Sequence, residues 1–296
     1  MVSPNLALSR PSWKVKLKAL WETTVPLHAV FGLSATLAAG ILALSGWPTL
    51  SQVGWLVLAL ISGRAAGFGF NRVIDAEWDK QNPRGRNRPI PTGRLTKRET
   101  LIFSFLAVGV LAWAGYRLNP ITLYFVAIPV LGFVVYSYAK YHTWWVHFIQ
   151  IWPQSMGPLG AWLALTGTIT GPAVLFALGY GLWVAASDIL IHAADGPAQV
   201  RAGVHSAVTR WGLPRALWIS RGSHAVAFLL FVAAGLWLHL NPAYNGFLFF
   251  TVPILLYQHW LVRADQVDIG RAVAAFNSNA WVGPLILLGA WAGVAG

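Results

Sequence analysis

Apolar runs long enough to cross a bilayer recur along this 296-residue chain, and they constrain its fold more than any other feature. About 20 apolar residues span the hydrocarbon layer as a helix, which satisfies its own backbone where no water can. The runs predict spans at about 24–46, 51–72, 97–116, 120–138, 145–166, 170–192, 215–239, 242–262 and 274–295. Proline and glycine breaks divide them, as at Gly46-Trp47-Pro48, Asn119-Pro120, Gly171-Pro172 and Asn241-Pro242. The period-2 alternation of a β-barrel is absent, and no gap is long enough for a separate soluble domain. The expected architecture is an all-α polytopic membrane protein, one domain over residues 1–296 with a polar N-terminal segment at about 1–21.

Composition narrows the function classes. With 56% hydrophobic and 10% charged residues, a soluble globular protein is excluded. The absence of cysteine excludes a disulfide framework, a thiolate nucleophile and cysteine-ligated metals. A net charge of +12 would suit nucleic acid, but the basic residues lie between the spans, so anionic lipid headgroups or an anionic substrate are the expected partners and nucleic acid is not.

Charge also predicts orientation, because Lys and Arg favour cytoplasmic loops. Arg10, Lys14, Lys16 and Lys18 precede the first span; Lys80 to Arg98, Lys140, Arg201 to Arg221, and Arg263 and Arg271 all fall on that same side if the spans number nine. Only Arg117 sits opposite, and Arg64 lies inside the second span. The N-terminus is therefore expected in the cytoplasm, the C-terminus outside, and the protein in the cytoplasmic (inner) membrane. The full-length first span argues against a cleaved signal peptide.

Two acidic clusters carry the chemistry. Asn71, Asp75 and Asp79 recur at i, i+4 and i+8, which stacks them on one helix face at the membrane edge. Two carboxylates and an amide so placed suit Mg²⁺, which takes oxygen ligands and leaves positions for water and phosphate. A solvated helix end would have a similar composition. The run that follows, Lys80, Arg84, Arg86, Arg88, Arg94, Lys97 and Arg98, pinned by Pro83, Pro89 and Pro91, favours a magnesium diphosphate gripped by guanidinium groups.

The second cluster spans Asp188 to His205. Asp188 and Asp195, seven residues apart, share a helix face. Ionisable groups within a span are costly and usually face a cavity or each other, which marks Asp188 as a functional residue. His192 reads as a hydrogen-bonded side chain rather than a ligand, and Gln199 as a weak ligand at most. Pro197 predicts that the helix ends or kinks near Gly196.

Together these residues resemble the UbiA superfamily of intramembrane prenyltransferases. Asn71-Arg72-x-x-Asp75-x-x-x-Asp79, followed by Asn82-Pro83-Arg84, Asn87-Arg88-Pro89 and Pro91-x-Gly93, is similar to its first aspartate-rich motif and basic loop. Tyr136-Ser137-Tyr138-x-Lys140, Gly157 to Trp162, Gly203-x-His205-Ser206 and Ala274-Ala275-Phe276-x-x-Asn279 resemble the 4-hydroxybenzoate polyprenyltransferase branch.

The resemblance implies nine transmembrane helices around a central cavity with a lateral opening, and transfer of an isoprenoid from a polyprenyl diphosphate to an aromatic acceptor with Mg²⁺ as cofactor. It implies Asp75, Asp79, Asp188 and Asp195 as catalytic residues, Asn71, Asp75, Asp79 and Asp195 as metal ligands, and Asn71, Arg72, Arg88, Lys140 and Gln199 as substrate-binding residues. Membrane lipid is the remaining partner, and no obligate protein partner is implied. The family's second motif reads Asp-x-x-x-Asp, whereas this chain has Asp195 and Gln199, and Tyr141 stands where a basic residue usually follows the lysine. The lost carboxylate predicts weaker magnesium binding. It also leaves open a second class, a non-catalytic protein of this fold that binds isoprenoid diphosphate or lipid.

Overall fold

Every regular element among the described residues is helical, and the apolar runs account for nearly all of it. The computed structural model describes residues 11–24, 29–82 and 85–295. Arg10, the start of the first span at 25–28, and Pro83 and Arg84 of the basic loop lie outside the described residues. In chain order come α1 (Trp13–Thr23), α2 (Ala29–Leu44), α3 (Leu50–Ile74), the short α4 (Ala76–Gln81) and, after the basic loop, α5 (Lys97–Leu118). A 3-10 turn at Pro120–Tyr124 leads into α6 (Ala127–Ala139), then α7 (Val146–Thr166), α8 (Gly171–Arg201), α9 (Ala207–Trp211) and α10 (Leu213–Trp237). The chain closes with α11 (Pro242–Phe249), α12 (Thr251–Leu261), α13 (Ile269–Asn277) and α14 (Asn279–Val294).

Six segments among the described residues are long and apolar enough to cross a membrane: Leu50–Ile74, Lys97–Leu118, Pro120–Ala139, Gly171–Arg201, Leu213–Trp237 and Ile269–Val294. Of the other predicted spans, α2 is apolar but has 16 residues, α7 carries His147, Gln150 and Gln154, and the run from Pro242 is divided near Phe250 into α11 and α12. Capping boxes at Thr49–Gln52 and Thr96–Glu99 start α3 and α5, and Gly167, at φ +73°, ends α7 in the left-handed conformation that glycine adopts without strain.

α8 is the central element. Its apolar window is 78% buried, against 11% for Pro120–Ala139, and it packs on α7, α10 and α13. Trp183, Tyr180 and Phe176 of α8 interlock with Phe31, Phe231, Tyr244 and Ile286 from four neighbouring helices. Outward-facing residues such as Phe105, Leu106, Trp113, Leu229 and Trp281 stay exposed, as on an integral membrane protein whose apolar exterior meets lipid. At Gly181 the α7 backbone comes so close that a Cβ would fall 2.6 Å from the Ile151 carbonyl oxygen, an atom that cannot rotate away. Gly181→Ala is therefore expected to cost about 1–3 kcal/mol by overpacking, visible as a lowered thermal unfolding temperature in detergent.

Two sequence expectations need correction here. At Gly196-Pro197, where the sequence predicts an end or a kink, α8 does not end but runs on to Arg201. Proline removes one ladder bond, yet side chains tie the last turns: Gln199 bonds back to His192, two turns earlier in α8, and forward to Ser206 at the start of α9. The strip from Asn71 to Asp79 is not one uninterrupted helix either, because Asp75 is the joint between α3 and α4, at φ −83° and ψ 0°. Backbone bonds from Asp75 to Asn71 and from Asp79 to Asp75, each 2.8 Å, carry the helical path across the joint.

Candidate active site

The joint at Asp75 opens onto a chamber of about 380 Å³ between α3, α6, α7, α8 and the α13–α14 junction. Asp75 is 2% exposed and held from three directions. Lys140 Nζ at 2.6 Å and Asn71 Nδ2 at 2.9 Å donate to Oδ2, and the Tyr141 hydroxyl at 2.9 Å donates to Oδ1. Burial, and next the Asp75 charge, push the Tyr141 phenol far above its ordinary pKa, so it stays a donor. Tyr141 thus bonds directly to the acidic motif from the position where the sequence departs from the family pattern. Lys140, at the end of α6, is fixed in turn by its carbonyl, which accepts from the His205 N–H at 2.6 Å.

Asp79 is fully buried, and Arg88 Nη1 reaches its Oδ1 at 2.5 Å. Gly85 lets the basic loop close over it, since a Cβ there would lie 2.6 Å from that same oxygen. The other carboxylate oxygen, Oδ2, is buried and has no hydrogen-bond partner among the described residues. Arg72 donates to Asn71 Oδ1 at 3.0 Å and lies over the Phe68 ring.

Across the chamber, Asp188 Oδ2 meets His147 Nδ1 at 2.9 Å, the Tyr136 hydroxyl at 3.4 Å and His192 Nε2 at 3.6 Å. His192 is hydrogen-bonded, as its sequence setting suggests, through Nδ1 to Gln199 Nε2 at 2.7 Å. Asn71, Arg72, Asp75, Arg88, Lys140, Asp188, Asp195 and Gln199 all line this one chamber. Asp79 is not in its wall and connects to it through Arg88.

A second, apolar cavity of about 310 Å³ adjoins the first, with Leu60, Gly63, Leu111, Met156 and Gly160 in its lining. Arg64, Phe133, Gln154 and Tyr180 belong to both walls. Sequence reasoning missed His147, a lone histidine in an apolar run that gives no periodic signal, and Gln150 and Gln154, which a helical face of α7 turns toward the chamber.

The residues present fit a divalent ion at the first motif. Two buried carboxylates lie one helical turn apart, and one of their oxygens has no partner among the described residues. Among the described residues no three His, Asp or Glu side chains form a closed metal cage, which Mg²⁺ does not require when phosphate and water complete its shell.

Residues 32–292 match the model of the UbiA prenyltransferase family. The chain is 29% identical to a 4-hydroxybenzoate octaprenyltransferase from Tolumonas auensis, over 98% of both chains. Its fold is similar to that of a UbiA homologue from Aeropyrum pernix K1, with a TM-score of 0.78 and 23% identity over 88% of this chain and 96% of the other. A UbiA homologue from Archaeoglobus fulgidus, bound to GPP and Mg²⁺, superposes with a TM-score of 0.69 at 13% identity over 94% of this chain and all of its own. With the family model covering most of its length and the acidic motif buried against the basic residues, this chain belongs to the UbiA prenyltransferase family.

Proposed function

We propose that the protein transfers the isoprenoid of a polyprenyl diphosphate to an aromatic acceptor of the 4-hydroxybenzoate type, at the face of a membrane. The observation that carries this reading is the pairing of two buried carboxylates, Asp75 and Asp79, with Lys140, Tyr141 and Arg88, on a chamber that continues into an apolar cavity. The name of the Tolumonas relative supports the acceptor class.

In this mechanism Asp75 and Asp79, with Asn71, would hold Mg²⁺, which when bound would supply positive charge to the diphosphate. Lys140 and Arg88, each now on a carboxylate, turn toward phosphate oxygens when the anion arrives, and Arg72 adds a third cation. The allylic C–O bond breaks with its electron pair on the leaving oxygen, a ring carbon of the acceptor bonds to the allylic carbon, and the ring proton passes to the departing diphosphate. Once turned, these cations stabilise the negative charge that develops on the leaving oxygen, in a chamber where that attraction is stronger than in water. Asp188 and Asp195, across the chamber, orient the acceptor. The isoprenoid tail lies in the apolar cavity beyond Arg64, in a wall that keeps water from the reacting carbon.

The same reading takes the helices as nine spans, α2, α3, α5, the Pro120–Ala139 segment, α7, α8, α10, α11 with α12, and α13 with α14, around a central cavity with a lateral opening. The basic loop then faces the cytoplasm, with the N-terminus on that side and the C-terminus outside the inner membrane. α1, rich in Lys and Trp and tied to the loop region through Lys16–Glu99 and Glu22–Arg94, lies along the headgroups.

Metal removal tests the reading. Purified protein given geranyl diphosphate and 4-hydroxybenzoate is expected to release diphosphate with Mg²⁺, to stop on addition of EDTA, and to recover when Mg²⁺ is restored in excess. Turnover that persists in EDTA contradicts it.

A further inference from the structure

The second acidic cluster differs from the first in how its oxygens are used. Gln199 is 1% exposed and spent at both ends: Nε2 donates to His192 Nδ1 at 2.7 Å, and Oε1 accepts from Ser206 Oγ at 2.7 Å. Ser206 Oγ accepts the Thr209 N–H at the start of α9 and donates its own proton to Gln199 Oε1, with the amide nitrogen facing the ring. An amide nitrogen only donates. His192 Nδ1 therefore accepts, and the N–H of the neutral ring sits on Nε2, facing Asp188.

Asp188 is held in the same way. His147 meets its Oδ2 on one side, His192 on the other, and the two rings stand edge to face with centroids 4.9 Å apart. A metal ion needs lone pairs directed at it, and here the amide oxygen and the Asp188 Oδ2 are directed at Ser206 and at imidazole nitrogens. This contrasts with Asp79, whose Oδ2 is buried without a partner among the described residues.

We propose that the second cluster of this chain holds no metal ion and that two imidazoles, His147 and His192, with His192 locked by Gln199 and Ser206, occupy the Asp188 oxygen that a metal would use. The enzyme then works with one divalent ion, at Asp75 and Asp79, and this inference rests on the reading of that first motif given above. The loss of a carboxylate at position 199 and the presence of a histidine one helical turn from Asp188 are one adaptation: the neutral amide is the group that orients the ring.

Counting bound Mn²⁺ tests it without relying on turnover. The full-length protein in detergent is titrated with Mn²⁺ in the presence of geranyl S-thiolodiphosphate, a diphosphate that does not ionise, and free Mn²⁺ is read by electron paramagnetic resonance. One ion per chain is expected, lost in Asp79→Asn. The double variant His192→Ala/Gln199→Asp, its fold checked by thermal unfolding, is expected to bind two, while Gln199→Asp alone stays at one because His192 pairs with the new carboxylate. Two ions in the unaltered protein overturn the proposal, as does a folded double variant that still binds one. No bound Mn²⁺ at all overturns the reading of the first motif and this inference with it.

Discussion

Asp75→Asn is expected to lose about 10²–10³-fold in turnover and to weaken the fold as well, whereas Asp75→Asn combined with Lys140→Met recovers the fold and not the activity. The reason lies in burial. The side chains of Lys140 and Asp75 are 9% and 3% exposed and 2.6 Å apart. Removing one member of such a pair leaves the other as an uncompensated buried charge, at a cost of about 3–5 kcal/mol, while replacing both with neutral groups is close to neutral. The single variant should therefore unfold at a distinctly lower temperature in detergent, and the double variant near the original one. Activity follows a different rule, because the carboxylate that holds the metal is missing from both. A stable double variant that still turns over would show that Asp75 is structural only.

Gly63→Leu is expected to leave the fold intact and to change which isoprenoid the enzyme accepts. A Cβ at Gly63 would sit 3.7 Å from Leu111, an ordinary contact, and both residues line the apolar cavity. A leucine side chain must then extend into that cavity. In the middle of α3 leucine is also the better helix former, by about 1 kcal/mol over glycine, so stability is not expected to fall. The kcat/KM for an octaprenyl diphosphate should drop about 10–100-fold relative to that for geranyl diphosphate, in line with the discrimination a filled apolar pocket imposes. Equal losses for both substrates would place the tail elsewhere.

Much of this was legible in the sequence, for physical reasons that differ by residue. The spans showed because bilayer thickness sets a run length, and the helices from Leu50 to Ile74 and Lys97 to Leu118 begin and end within a few residues of their predicted bounds. Asn71, Asp75, Asp188 and Asp195 stand out by charge and periodicity, Arg88 and Lys140 through the motifs that resemble the family, and all six line one chamber. The fate of Pro197 was not legible. Its local cost was evident, but the Gln199 bridge that holds the turn depends on the chain after α8 folding back to bring Ser206 to the amide, which helical spacing does not encode. Nor did the sequence reveal His147, which reaches Asp188 from another helix 41 residues away, or the role of Tyr141, whose bond to Asp75 crosses 66 residues. Such contacts follow from packing, which spacing along one helix does not encode.

The account's central claim is that diphosphate departure and aromatic prenylation are one event in this chamber. It is tested most directly by measuring both products in one reaction, with diphosphate assayed enzymatically and the prenylated acid quantified by mass spectrometry, using geranyl diphosphate, 4-hydroxybenzoate and Mg²⁺. The account predicts equal amounts of the two, rising together with protein and falling together in Asp75→Asn/Lys140→Met. Diphosphate without a prenylated acid, or neither product from folded protein, would contradict it.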